Sequence, residues 1–164
     1  KENKKTLPFG LYVTNSVQEE VGLRGAQMIT ETIRPNVAIV TDVTHDTHTP
    51  MINKIKEGDC EMEKGPVVTF GPAVQNNLLK LIISTAKKKK INIQRAAASR
   101  ATGTDTDAFA FNTGGVASAL ISLPLRYMHT TVETVAQQDV ENVIKLIYNS
   151  LLEIKNNHDF RYLK

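Results

Sequence analysis

Two adjacent glutamates, Glu19 and Glu20, sit in the stretch VQEEVGLRGA, between an apolar run and a glycine-punctuated helix start. Neighbouring carboxylates can divide the work of metal-assisted hydrolysis. One fixes a metal ion, while the other takes a proton from water on that metal and returns it to a leaving amine. Further donors lie downstream: Asp42, followed by His45, Asp46 and His48, and then Arg126 and His129 within LRYMHT. Two carboxylates and an imidazole from separate segments suit zinc, cobalt or manganese, which accept oxygen and nitrogen ligands. Each residue also has an ordinary use. Paired glutamates are common on solvated surfaces, an aspartate often closes a turn, and a histidine can be hydrogen-bonded in a loop. Their position relative to one sheet separates the two readings.

The elements that must hold them alternate between strand and helix patterns. Residues 11–16 (LYVTNS) form a short β-rich run leading to the glutamates, and 25–33 have apolar residues at helical spacing, stopped by Pro35. Residues 37–43 (VAIVTDV) are nearly continuously apolar, as in a strand covered on both faces. A loop or hairpin, punctuated by Gly58 and Gly65-Pro66, leads to a strand ending near residue 70. A helix over 77–89, a strand over 91–98, a short helix over 105–112 and a buried strand over 116–125 follow. The pattern closes with an amphipathic helix over 132–155. Such alternation predicts an α/β sandwich whose mostly parallel sheet lies between helix layers. Chemistry in these sheets gathers outside the carboxyl ends of the strands, where Asp42 and the segment carrying His129 should emerge.

Composition narrows the function classes. A chain of 164 residues fits one domain and is long enough to bury about two-thirds of its unfolded surface. Its 41% hydrophobic and 23% charged residues are those of an ordinary globular protein. No apolar run approaches the roughly 18 to 20 residues of a membrane span, and no secretory signal is visible, so a cytoplasmic location without a membrane partner is expected. Cys60 is the only cysteine, which excludes a disulfide framework and a thiolate zinc cluster. The net charge of +3 is mild and comes largely from Lys1, Lys4, Lys5 and the run Lys87, Lys88, Lys89 and Lys90. That run reads as the last turn of a helix, where cations favour the negative end of the helix dipole. The competing reading, a phosphate-binding patch for nucleic acid, lacks interleaved aromatic residues. No nucleic-acid partner is expected.

In order along the chain, VQEEVGLRGA, VAIVTDVTHDTHTP, EKGPVV, GTDTDAFAF and ISLPLRYMHTTVE resemble motifs of the cobalt- or zinc-dependent tetrahedral aminopeptidases. That family includes glutamyl and deblocking aminopeptidases, some of them labelled endoglucanases. The resemblance implies a three-layer α/β/α sandwich of the zinc-peptidase type, with a mixed, mostly parallel sheet. It implies two divalent metal ions, zinc or cobalt or else manganese, acting on peptide substrates in a homo-oligomer of twelve subunits. Glu19 would be the general base and acid, Glu20 its adjacent metal ligand, Asp42 a ligand of the other ion, and His129 a ligand sharing an ion with Glu20. Gly103, Thr104 and Asp105 would line the substrate pocket. Arg126 would either touch substrate or orient the loop before His129. His45 and His48 are left with loop or pocket roles.

The family's first histidine ligand and bridging aspartate lie upstream of the glutamate pair, where residues 1–16 contain neither residue type. Residues 1–164 therefore read as the C-terminal part of the catalytic domain, without its N-terminal part or the inserted dimerisation domain, and the chain alone is expected to be inactive. Two competing functions are a related metallo-amidohydrolase such as a deacylase, and a non-catalytic assembly protein that keeps the fold. Sugar hydrolysis fits poorly, because adjacent glutamates do not flank a glycosidic bond. An extended segment would also send Glu19 and Glu20 to opposite sides, so a shared site requires a turn, for which Gly22 offers a place.

Overall fold

The computed structural model describes residues 6–162, so Lys1, Lys4 and Lys5 lie outside it. Its framework is the parallel pairing of β1 (Val37–His45) with β4 (Ala117–Arg126), in register from Val37 opposite Ala117 to His45 opposite Leu125. Both strands are rich in β-branched and aliphatic residues, and successive side chains point to opposite faces. Val37 and Ile39 join Ala117, Ala119 and Ile121 in a cluster with Leu78, Leu79 and Ile82 of α3 (Asn76–Lys89) and Val143 and Leu146 of α5 (Gln137–Glu153). Ala38 and Val40 turn the other way, toward Ala26 of α1 (Arg24–Ile33) and Ala108 and Phe109 of α4 (Asp105–Phe111). Two apolar layers on two faces of one sheet make the expected three-layer sandwich. Leu78, Ile82, Ile121 and Leu146 are 0% exposed, and each such burial is worth about 1.5–3 kcal/mol.

The sheet is mixed. Its order is β1-β4-β2-β3: β2 (Val67–Phe70) pairs antiparallel with β4 and parallel with β3 (Gln94–Ala97). The short α2 (Lys54–Glu57) lies in the long connection between β1 and β2. A two-residue β5 (Thr134–Val135) pairs antiparallel with Leu125 and Arg126 at the end of β4. Lys87, Lys88 and Lys89 form the last turn of α3, and Lys88 Nζ reaches Glu153 Oε1 at 2.6 Å. The lysine run therefore sits where helix-end electrostatics places it.

Three expectations change. Residues 11–16 take part in no strand; Leu11, Tyr12 and Val13 are 49%, 69% and 91% exposed. Their β-rich composition describes a segment that would fit a sheet, but no strand stands beside them among the described residues. The final helix starts at Gln137, not 132, because the β-branched Thr134 and Val135 pair with β4 first. The third strand is shortened to Gln94–Ala97 because the end of α3 claims the residues before it. Lys90 is left-handed (φ 55°), and Ile91 N–H donates back to Ala86 O at 2.9 Å.

Candidate active site

The glutamate pair lies in a turn and not at a strand end. Gln18 and Leu23 both adopt left-handed backbone (φ 59° and 57°), a conformation that costs a non-glycine residue on the order of 1 kcal/mol or more. Glu19 O accepts hydrogen bonds from the N–H groups of Gly22 (3.1 Å) and Leu23 (3.0 Å). Val17 O accepts the Gly25 N–H at 2.9 Å, which lays the turn against the first residues of α1. Only glycine fits there: a Cβ on Gly25 would stand 2.4 Å from Val17 N and 2.5 Å from Val17 O. The break that lets both glutamates serve one region thus begins at Gln18, ahead of the pair. The entry to the turn is anchored from afar, because the Ser16 hydroxyl donates to Asp105 Oδ2 at the start of α4.

Asp42 does not end its strand as expected, because the pairing of β1 with β4 continues three residues past it to His45 opposite Leu125; His129 lies three residues beyond the carboxyl end of β4. Asp42 lies opposite Ser122 in the ladder, and its Oδ1 accepts the Val43 N–H at 2.7 Å. Beyond Arg126 the chain bends through two left-handed residues, Tyr127 (φ 59°) and His129 (φ 61°). Tyr127 O accepts both the N–H (3.2 Å) and the hydroxyl (2.6 Å) of Thr130, and Glu133 Oε1 accepts the His129 N–H at 2.6 Å. This turn carries the His129 ring to Glu20, with Nε2 3.2 Å from Oε1.

The loop before α4 closes the group. Asp107 accepts the N–H groups of Thr102 (3.0 Å) and Gly103 (2.9 Å), and Thr104 caps the helix by accepting the Thr106 N–H at 3.2 Å. Gly103 has φ 71°, which suits glycine. Thr104 and Asp105 are buried and Gly103 is exposed. Asp105 Oδ1 is buried without a hydrogen-bond partner.

Electrostatics ties these segments together. Burial raises the Glu19 carboxyl from its ordinary value, and the charges of Asp42, Glu20 and Asp105 add to the rise, with His129 opposing it. Burial also raises Asp42; the Val43 N–H opposes that shift, while Asp105 and Glu20 reinforce it. Glu19, Glu20, Asp42 and Asp105 thus share one region of negative charge, and His129 contacts Glu20 within it. Negative charge in excess, an orphaned carboxylate oxygen and an oxygen–nitrogen donor pair in contact suit a divalent cation. Among the described residues no three His, Cys, Asp or Glu side chains gather at metal-binding spacing; Glu20 and His129 form the contacting pair. His48 is engaged elsewhere, 2.8 Å from Lys54 Nζ and 3.1 Å from Asp59 Oδ1. Ser16 and Glu133 were missed from the sequence. The four-residue spacing of Glu133 from His129 was a usable turn signal, whereas nothing local marked Ser16.

Residues 1–146 match the family described as M42 glutamyl aminopeptidase. The chain is 41% identical over 145 residues to the lysyl aminopeptidase of Pyrococcus furiosus, covering 88% of this chain and 41% of that protein. Among solved structures it resembles a TET aminopeptidase from a marine-sediment Thaumarchaeota archaeon, with a TM-score of 0.78 and 31% identity, covering 86% of this chain and 40% of that one. It also resembles the Pyrococcus horikoshii TET1 peptidase, described as able to assemble into a tetrahedron or a large octahedral shell. There the TM-score is 0.67 and the identity 28%, over 85% of this chain and 40% of that one. The chain thus spans about two-fifths of the length of these relatives.

Proposed function

Because the chain belongs to the M42 glutamyl aminopeptidase family, we propose that it supplies part of the catalytic centre of a metal-dependent aminopeptidase cleaving the first peptide bond of peptide substrates. The observation that carries this reading is the His129–Glu20 contact beside Glu19, beyond the carboxyl end of β4. In this reading Asp42 holds one divalent ion, and Glu20 and His129 hold the other. Zinc or cobalt suits these donors best, with manganese also compatible. When bound, such ions supply Lewis acidity to the scissile carbonyl and to a water molecule.

The residues of the chain do the rest. Glu19 takes a proton at its carboxylate and delivers it to the leaving amine. Burial raises this carboxyl above its ordinary value, the direction that favours a group which must both accept and return a proton. Gly103, Thr104, Asp105 and Arg126 position the substrate. Residues 1–164 act as the C-terminal part of a longer catalytic domain, a reading supported by their 41% share of the lysyl aminopeptidase. The remaining ligands then come from outside this chain, so the chain alone has little activity. The full-length protein self-associates into a twelve-subunit particle, a reading supported by the dodecamer described for the similar PhTET1-12s structure. A cytoplasmic location accompanies it; no helix among the described residues is long and apolar enough to cross a membrane.

The test is a substrate panel on full-length protein of known metal content. About two ions per chain, with cleavage of aminoacyl anilides but not of N-acylated amino acids, is the expected result. Cleavage of the acylated set alone would make the protein a deacylase. Absence of bound metal would make it a non-catalytic member of the fold.

A further inference from the structure

A buried carboxylate outside the proposed ligand set joins the segments of the site. Asp46 follows β1 directly, and its side chain is 4% exposed. Its own N–H donates to Leu125 O at 2.9 Å, which carries the β1–β4 pairing one residue beyond the strand. Oδ1 accepts the His48 N–H at 2.7 Å, Oδ2 accepts the Met62 N–H at 3.4 Å, and Arg126 Nε stands 3.9 Å from Oδ2. Arg126 Nε is buried with no hydrogen bond of its own. The guanidinium lies over the Tyr127 ring, 5.2 Å from its centroid, with Nη2 3.5 Å from the Tyr127 hydroxyl.

These contacts form one chain of constraint. A buried carboxylate needs a countercharge nearby, and Arg126 is the cation that faces Asp46. Holding the guanidinium there holds the ring stacked on it. Tyr127 is the left-handed residue that opens the turn ending at His129. We propose that Asp46 is a positioning residue for His129: acting through Arg126 and Tyr127, it fixes the turn that presents the imidazole to Glu20. The inference rests on reading Glu20 and His129 as metal ligands. Groups bonded directly to a metal ligand typically change metal affinity about 10- to 100-fold when removed, and Asp46 acts at a further remove, so its effect falls at or below the lower end.

The experiment is a titration of metal-free, full-length protein with cobalt(II) alone, read by its visible absorption, which responds to ligand geometry. Asp46→Asn keeps the shape and the acceptor for the His48 N–H but removes the charge facing Arg126. It should bind cobalt more weakly, by up to about 10-fold, with shifted absorption bands. Asp139→Asn is the control for stability alone. That aspartate is fully buried and accepts the N–H groups of Glu63 and Gly65, so its variant should unfold more easily yet keep the wild-type cobalt affinity and spectrum. Wild-type affinity and spectrum in folded Asp46→Asn would overturn the proposal.

If Asp46→Asn fails to fold by circular dichroism, Arg126→Lys decides. Lysine keeps the charge but loses the planar stack on Tyr127, so a shift in the same direction is expected and an unchanged spectrum overturns the inference. A wild-type protein that shows no cobalt bands overturns the metal reading beneath it, and this inference falls with that reading.

Discussion

His129 Nε2 lies 3.2 Å from Glu20 Oε1, although 109 positions separate the two residues in the chain. Two features must coincide for this contact: the left-handed turn after β4 and the tight turn packed on α1. Disturbing either of them should register at the site.

Glu19→Gln in the full-length protein should lower turnover of an aminoacyl anilide by about 100- to 10,000-fold, the usual worth of a positioned acid–base group. Metal content should stay near the wild-type value. Elemental analysis beside the kinetic assay checks this, and equal loss of metal would make Glu19 a ligand.

His129→Ala removes one member of the contacting pair. The variant should retain less metal after dialysis than wild type, and excess zinc or cobalt should restore only part of the activity. For the wild-type protein, chelation should abolish activity and either metal should return it. Metal retention equal to wild type in His129→Ala would remove this residue from the proposed ligand set.

Gly25→Ala places a methyl group against the backbone of Val17, with the nearest atom at 2.4 Å. Overpacking of this kind costs about 1–3 kcal/mol. The urea midpoint should fall accordingly. Because the displaced backbone leads directly into Glu19, activity should fall even under conditions where the variant is fully folded.

Cys60, which is not among the proposed ligands, provides a separate readout. Burial, then the charges of Asp46, Asp139 and Asp59, push its thiol up to about 12 from an ordinary value of 9.0. The native thiol should therefore react slowly with a disulfide reagent at pH 8 and rapidly in urea. The folded state holds this proton more tightly than the unfolded chain, so the contribution is fully present below about pH 9. It is lost as pH rises from there toward 12. Cys60→Ala should flatten that alkaline decline, measured as the urea midpoint against pH. A slope unchanged by the substitution would assign the decline to other groups.

Much of the fold was legible because its strongest elements carry local periodicity. β1 and β4 are long apolar runs, and α3 and α5 repeat apolar residues at helical spacing, so their types follow from a few neighbouring side chains. The segment 11–16 shows the limit of that signal: β-rich composition marks what would pair well, and pairing also requires a neighbour. The start of α5 moved for a related reason, since Thr134 and Val135 found a strand to join.

The sequence alone determined the inventory: two adjacent carboxylates, an aspartate ending one apolar run, a histidine soon after another, and no cysteine cluster. Tertiary structure decided which of them meet. It brought Ser16 to Asp105 across 89 positions, set Asp46 against Arg126, and turned His129 toward Glu20 while His48 was drawn to Lys54 and Asp59. The physical reason is range. Propensity and periodicity act over a few residues, whereas these contacts depend on strand register, on two left-handed bends and on one close approach that only Gly25 permits.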